Sequence, residues 1–258
     1  MGNHDGHRQR LKEKFLATNG VGLEDHELLE VLLFYSVPRI NTNEQAHELI
    51  NSFGSLKGVF DADVKELCNV DKIGDSSATL IKVVSALMSR YSMQSQDPRQ
   101  KYTTFSQIST YLQGLFIGHS NERVYMVLFN NSMRIIKTIL VGEGVVNMAA
   151  LDSSMVAKST LGYNAAYVAI AHNHPAGLAI PSLEDVHVSY AMKDSFKTIG
   201  LTMIDHFLVA DGKCVPILRT VEKGRRNDDA LTKNYVLKSF DFEIEDDLNY
   251  ELFENINK

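Results

Sequence analysis

The chain has 258 residues, 44% of them hydrophobic, and carries a formal net charge of −6 at pH 7. That is enough apolar material for at least one full core, and the length fits one or two globular domains. The longest apolar run, "LLEVLLFYSV", is interrupted by Glu30 and falls well short of the roughly 20 residues that span a bilayer, which argues against a membrane span. The opening "MGNHDGHRQRLKEKF" is too polar for a secretory signal. Cys68 and Cys214 lie far apart in what read as separate domains, so free thiols in a reducing compartment, and a cytoplasmic protein, are expected.

Residues 1–91 read as helices broken by turn signals. The apolar positions of "HELLEVLLFYSV" end at Pro38, "NEQAHELINSF" ends at Gly54, and "SSATLIKVVSALMSRY" runs long. An all-helical domain is expected there, followed by a linker at 92–102, where "SMQSQDPRQKYTT" loses apolar periodicity and contains Pro98. After a short helix in "TFSQISTYLQGLF", the pattern changes to period 2 and continuous apolar runs. "RVYMVLFN", a turn at Asn130-Asn131 and "RIIKTILVG" make a hairpin. A helical stretch at about 152–163 leads to the strand "AAYVAIAHNH", a helix from Leu183 to about Ile199, and the strands "LTMIDHFLVA" and "KCVPIL" joined at Asp211-Gly212. Residues 103–220 therefore form a mixed α/β domain, and 221–258 an acidic carboxy-terminal tail. Its last part, 239–258, holds seven acids and one lysine with interleaved aromatics, the composition of a solvated terminus rather than a docking peptide.

The segment "HNHPAGLAIPSLED" carries the chemistry. His172 and His174 are two apart at a strand end, so both side chains leave the face that also carries Val168 and Ile170, and two imidazoles can converge on one ion. Pro175 cannot continue the ladder, and Gly177 lets the chain turn away and leave the histidines beside a cleft. Ser182 precedes a helical pattern as an N-cap, with Asp185 at the third helical position of a capping box. Capping boxes favour Glu or Gln, and stepping back three residues from the apolar stripe Val188, Met192, Phe196 and Ile199 puts Asp185 on the core-facing side. A carboxylate there needs a strong partner, because an unpaired buried charge is costly. A metal held by His172 and His174 supplies one. His187 is about 200° round the helix from Asp185 and is excluded as a ligand. Two imidazoles and a carboxylate with an open fourth position describe catalytic rather than structural zinc, whose bound water has a pKa near 7.

Those residues resemble the JAMM (MPN+) metalloprotease signature: His-x-His-Pro, seven residues from the second histidine to Ser182, and two more to Asp185. Asn173 and the later "DHFLVADG" resemble the RadC branch, as do "GHRQRLKEKF" and "HELLEVLLFYSV" in the helical region, so the resemblance covers nearly the whole chain. It implies an α/β (α+β) fold: a helix-hairpin-helix-like domain, then a JAMM/MPN-like mixed α/β domain of cytidine-deaminase-like architecture. It also implies a zinc-dependent peptidase or isopeptidase acting on a protein or peptide, with one zinc per chain held by His172, His174 and Asp185. Glu122, in "NERVYMVLFN", matches the family's catalytic glutamate, and Ser182 matches a serine that hydrogen-bonds the reacting oxygen. The chain departs from the family pattern at Ala176, where Ser is common, and at Ser153-Ser154, where Pro-Arg is common. It departs again at Lys72-Ile73-Gly74, where the hairpin usually reads Gly-Ile-Gly.

Other residues and other functions compete with this reading. Glu143, between Gly142 and Gly144 in a turn, rivals Glu122 as the base but reads as structural or solvated. His206 alternates with apolar positions on a strand and reads more readily as a hydrogen-bonded core histidine than as a residue lining the cleft. His4, Asp5 and His7 read as a frayed polar terminus. A zinc nucleobase deaminase needs a Pro-Cys-x-x-Cys pair that neither Cys68 nor Cys214 provides. A DNA-repair-linked binding protein with a scaffold metal domain is the main alternative. Residues 1–91, however, hold ten Lys/Arg against thirteen Asp/Glu, and Asp75 at a helix start repels the phosphate a hairpin should bind. Duplex DNA is therefore expected to bind no tighter than the non-specific range of about 10⁻⁴ to 10⁻⁶ M at physiological salt. A salt titration giving nanomolar binding would promote the DNA reading.

Overall fold

Local capping and a few long-range hydrogen bonds, more than apolar periodicity, decide where the helices of the first unit begin and end. The computed structural model describes residues 3–38, 41–94, 100–144, 160, 162–175 and 177–227. The chain divides into two compact units, Met1–Tyr91 with Ile117–Ser120 and Ser92–Phe116 with Asn121–Lys258. The first contains α1 (Asn3–Thr18), α2 (Asp25–Leu33), α3 (Asn43–Phe53), α4 (Leu56–Asp61), α5 (Val64–Cys68) and α6 (Asp75–Gln94). Their core is built from Leu29, Leu33, Leu49, Val59, Leu67 and Ile81. Helix α3 ends at Gly54, as expected, with Gly54 at φ +77.

Helix α2 stops earlier than its apolar pattern. The sequence carried it to Pro38, but the chain leaves at Leu33 and turns, and the Arg8 guanidinium donates to the carbonyls of Phe34 and Val37. Glu30, which breaks the apolar run, is fully buried and takes hydrogen bonds from His7 Nε2 at 2.9 Å and Asn43 Nδ2 at 3.0 Å. Helix α6 runs to Gln94, into the expected linker. Lys72 stands in the left-handed region at φ +61, a conformation that favours Gly, and Asp75 occupies the first turn of α6. Ile117–Ser120 belong to this unit through Gly118, whose N–H donates to Asp61 Oδ1 and whose carbonyl accepts from Lys82 Nζ, both at 2.9 Å. Gly118 sits at φ +81, and a β-carbon there would meet Ser85 Cβ at 2.6 Å.

The second unit begins with α7 (Phe105–Leu115), capped by the Thr104/Gln107 box. Five strands follow: β1 (Arg123–Phe129), β2 (Ile135–Glu143), β3 (Tyr167–Asn173), β4 (Thr202–Ala210) and β5 (Lys213–Pro216). The sheet order is β2-β1-β3-β4-β5, with β3 and β4 parallel and the other pairs antiparallel. Helix α8 (Leu183–Thr198) connects the parallel pair and α9 (Ile217–Asn227) follows β5. Side chains alternate between two cores. Val127, Phe129, Ala169, Ala171 and Phe207 pack with α7, whereas Val124, Met126, Leu128, Val168 and Ile170 pack with Val188, Met192 and Phe196 of α8. His172 continues that second face.

Several boundaries differ from expectation. The strand carried through Leu218 ends at Pro216, because Asp205 of β4 accepts the N–H groups of Leu218 and Arg219 and so starts α9. The tail expected from residue 221 therefore begins inside a helix. Glu143 ends β2 rather than sitting in a turn, and Glu122 immediately precedes β1 instead of beginning it. Ile199 caps α8 and is exposed, so the buried stripe stops at Phe196. Most of the helix expected at 152–163, Ser153-Ser154, Ala176 and the tail beyond 227 lie outside the described residues, as do the side chains of His4 and Asp5. Among the described residues no helix is long and apolar enough to cross a membrane.

Candidate metal centre

The site is built where β3 ends against the amino terminus of α8. His172 is fully buried, and its Nε2 lies 3.1 Å from His174 Nε2 and 3.2 Å from Asp185 Oδ1. Asp185 Oδ2 is 3.8 Å from His174 Nε2. The three donor atoms fall within 4.8 Å of one another. Ligand atoms of a tetrahedral zinc, each about 2.0–2.1 Å from the ion, stand roughly 3.3 Å apart, so this donor set and spacing fit that ion.

Asp185 does two jobs with its two oxygens. Oδ2 accepts from the Ser182 N–H at 2.7 Å and the Ser182 hydroxyl at 2.6 Å, while Oδ1 faces His172. Ser182 Oγ in turn accepts the Asp185 N–H at 3.1 Å, which completes the capping box. Burial works against the charged carboxylate, but His172 beside it and the bonds from Ser182 prevail and hold Asp185 below the usual carboxylate range. Burial and the neighbouring His172 lower the pKa of His174, against the raising influence of Asp185 and Glu122. Gly177 packs tightly beside it, where a β-carbon would lie 3.0 Å from His174 Cβ and His174 would have to give way.

Glu122 lies two residues before Val124, which pairs with His172, so continuing that register sets it level with His174. Asn173 fixes it there. The Asn173 Oδ1 accepts the Arg123 N–H at 2.7 Å and its Nδ2 donates to the Asn121 carbonyl at 3.2 Å, bracketing the Glu122 peptide. The Glu122 carbonyl accepts the Gly144 N–H at 2.8 Å. The rival Glu143 is exposed and paired across the strands with Arg123 NH2 at 2.5 Å. His187 is exposed on α8, away from Asp185.

Sequence reasoning missed the supporting roles of Asp205, Ser189 and Asn173, while His206 is the hydrogen-bonded core histidine it was expected to be. His206 is fully buried, with Nε2 2.8 Å from His172 Nδ1 and Nδ1 2.7 Å from Ser189 Oγ. It faces the site because β4 carries a bulge: Val168 pairs with Met203 but Ile170 with His206, so one extra residue resets the alternation. Burial, with His172 beside it, holds the His206 pKa well below the usual imidazole value. Asp205 supports the bulge through the N–H groups of His206, Leu218 and Arg219, and burial pushes its pKa up to about 7 against those donors. Ser189 was detectable as the residue one turn after Asp185, and Asn173 as the middle of the His-x-His motif. Cys68 and Cys214 are both free thiols.

A family model described as a RadC-like JAB domain matches residues 102–222, and one described as UPF0758 N-terminal matches residues 6–79. A UPF0758 protein of Aliivibrio fischeri is 30% identical over 206 residues, covering 80% of this chain and 92% of its own. A UPF0758 protein of Aliivibrio salmonicida is 29% identical over the same shares, and one of Vibrio vulnificus is 30% identical over 79% of this chain and 91% of its own. Both regions are matched, helical first and mixed α/β second, and the chain therefore belongs to the UPF0758 family of RadC-like proteins, with a carboxy-terminal domain of the JAB fold.

Proposed function

We propose that this chain is a zinc-dependent hydrolase of amide bonds, peptide or isopeptide, in a protein or peptide substrate. The observation that carries the reading is the convergence of His172 Nε2, His174 Nε2 and an Asp185 carboxylate oxygen at one strand end. These three residues would hold the zinc, which when bound supplies a Lewis acid that brings the pKa of water to about 7. Glu122 takes a proton from the attacking water and delivers it to the departing nitrogen. The C–O bond forms, the C–N bond breaks, and a carboxylate and an amine leave. The Ser182 hydroxyl, bonded to Asp185 Oδ2 in this structure, turns toward the developing oxyanion, a role that contributes about 2.7–4 kcal/mol when such a donor is aimed at growing charge.

The test pairs elemental analysis of protein purified without chelator with a cleavage screen on linear and isopeptide-linked substrates. One zinc per chain and cleavage of either bond type are expected, and Cys68→Ser should leave the metal content unchanged. Metal-free protein, or zinc-loaded protein that cleaves neither bond type, would sink the hydrolase reading.

A further inference from the structure

We propose that Ser189 and His206 are positioning residues that fix the tautomer of His172, so that its Nε2 lone pair faces the site before any metal arrives. The inference rests on the zinc reading above for its purpose, but its geometry is independent of it. A carbonyl oxygen only accepts, so Ser189 Oγ, 2.5 Å from the Asp185 carbonyl, spends its single hydrogen there. The Ser189 oxygen therefore accepts from its other neighbour, His206 Nδ1, which carries the proton. In a neutral imidazole the second nitrogen is then an acceptor, and His206 Nε2 receives the proton of His172 Nδ1. His172 is left with a bare Nε2 directed at His174 and Asp185.

All three side chains are fully buried, so the order of donors cannot be relaxed by bulk water. A charged His206 would need Nε2 to donate as well, burying an ion whose two hydrogen-bond partners are a hydroxyl and another imidazole, which is costly. Metal-ligating histidines use their second nitrogen in this manner, and loss of the supporting partner typically costs 10–100-fold in metal affinity. Here the support comes from one helix and one strand. Ser189 lies on α8 one turn after Asp185, and His206 is turned inward by the β4 bulge. The same helix thus supplies one ligand directly and orients another through two hydrogen bonds.

A purely structural role predicts that variants lose stability while His172 and zinc affinity stay as they were. The positioning role predicts more. In Ser189→Ala the His206 Nδ1 proton loses its acceptor, so the pair reverses: His206 Nε2 donates to His172 Nδ1, and the His172 proton moves to Nε2, facing the site. Long-range ¹H–¹⁵N spectra of the metal-free full chain should show Nδ1–H on both rings in the wild type and Nε2–H on both in Ser189→Ala. Zinc affinity, measured with zinc alone against a chromophoric chelator, should fall about 10–100-fold in Ser189→Ala and His206→Phe. His206→Gln, whose amide oxygen still accepts from His172, should restore most of it. Nε2–H on His172 in the wild type, or unchanged tautomers and affinity in Ser189→Ala, would overturn the proposal. A wild type that binds no zinc removes the hydrolase reading instead, and the tautomers then decide the relay by themselves.

Discussion

Glu122→Gln is expected to retain its zinc and lose turnover by about 10² to 10⁴, the usual contribution of a positioned base. The glutamine keeps the size of the side chain and its capacity to accept a hydrogen bond but cannot take a proton from water. Its backbone setting should survive, because Asn173 and Gly144 hold the main chain of residues 121–123 and bond no atom of the Glu122 side chain. Glu143→Gln is the control. It disrupts an exposed cross-strand pair with Arg123, and such surface pairs contribute about 0–1 kcal/mol. Rates on any substrate found in the screen, with zinc content measured in parallel, compare the two variants directly. Wild-type turnover in Glu122→Gln, or a larger loss in Glu143→Gln, would reassign the base.

The parts of this site that were legible in the sequence are those governed by one element's own periodicity. His172 and His174 meet because the chain runs on past the end of β3, with the His174 N–H donating to the Val209 carbonyl, and Asp185 faces the core because α8 carries Val188, Met192 and Phe196 on one stripe. Ser182 was legible as a cap because capping is local. His206 was legible as a hydrogen-bonded core histidine, but its partner His172 was not, since the direction of His206 depends on a bulge against β3 that no alternation within "LTMIDHFLVA" reveals. The start of α9 was hidden for the same kind of reason: its first N–H groups are satisfied by Asp205, more than ten residues earlier. Helices α4 and α5 are too short to show a period and are marked by the Ser55 and Asp63 caps. The early end of α2 depends on Arg8, and the membership of Gly118 in the helical unit depends on Lys82 and Asp61, all contacts distant in sequence.

Asp185→Ala should abolish tight zinc binding and with it the stabilisation that zinc confers on the wild type. A ligand that binds only the folded state stabilises it by RT ln(1 + [L]/Kd), about 2.7 kcal/mol when free zinc exceeds Kd a hundredfold. The wild type should therefore melt at a lower temperature after chelation, and the variant should melt at the same temperature with zinc or with chelator. Asp185→Asn separates the carboxylate's two duties. Its amide oxygen can still accept from the Ser182 N–H, so the start of α8 should hold, whereas the charge that Oδ1 offers beside His172 is gone. Metal-free Asp185→Asn should then stay closer in stability to the metal-free wild type than Asp185→Ala does, since losing a cap partner costs about 1 kcal/mol. Both variants should fail to retain zinc through purification. Full metal content in Asp185→Ala would mean that His172 and His174 recruit a different third ligand, and the ligand set would have to be redrawn.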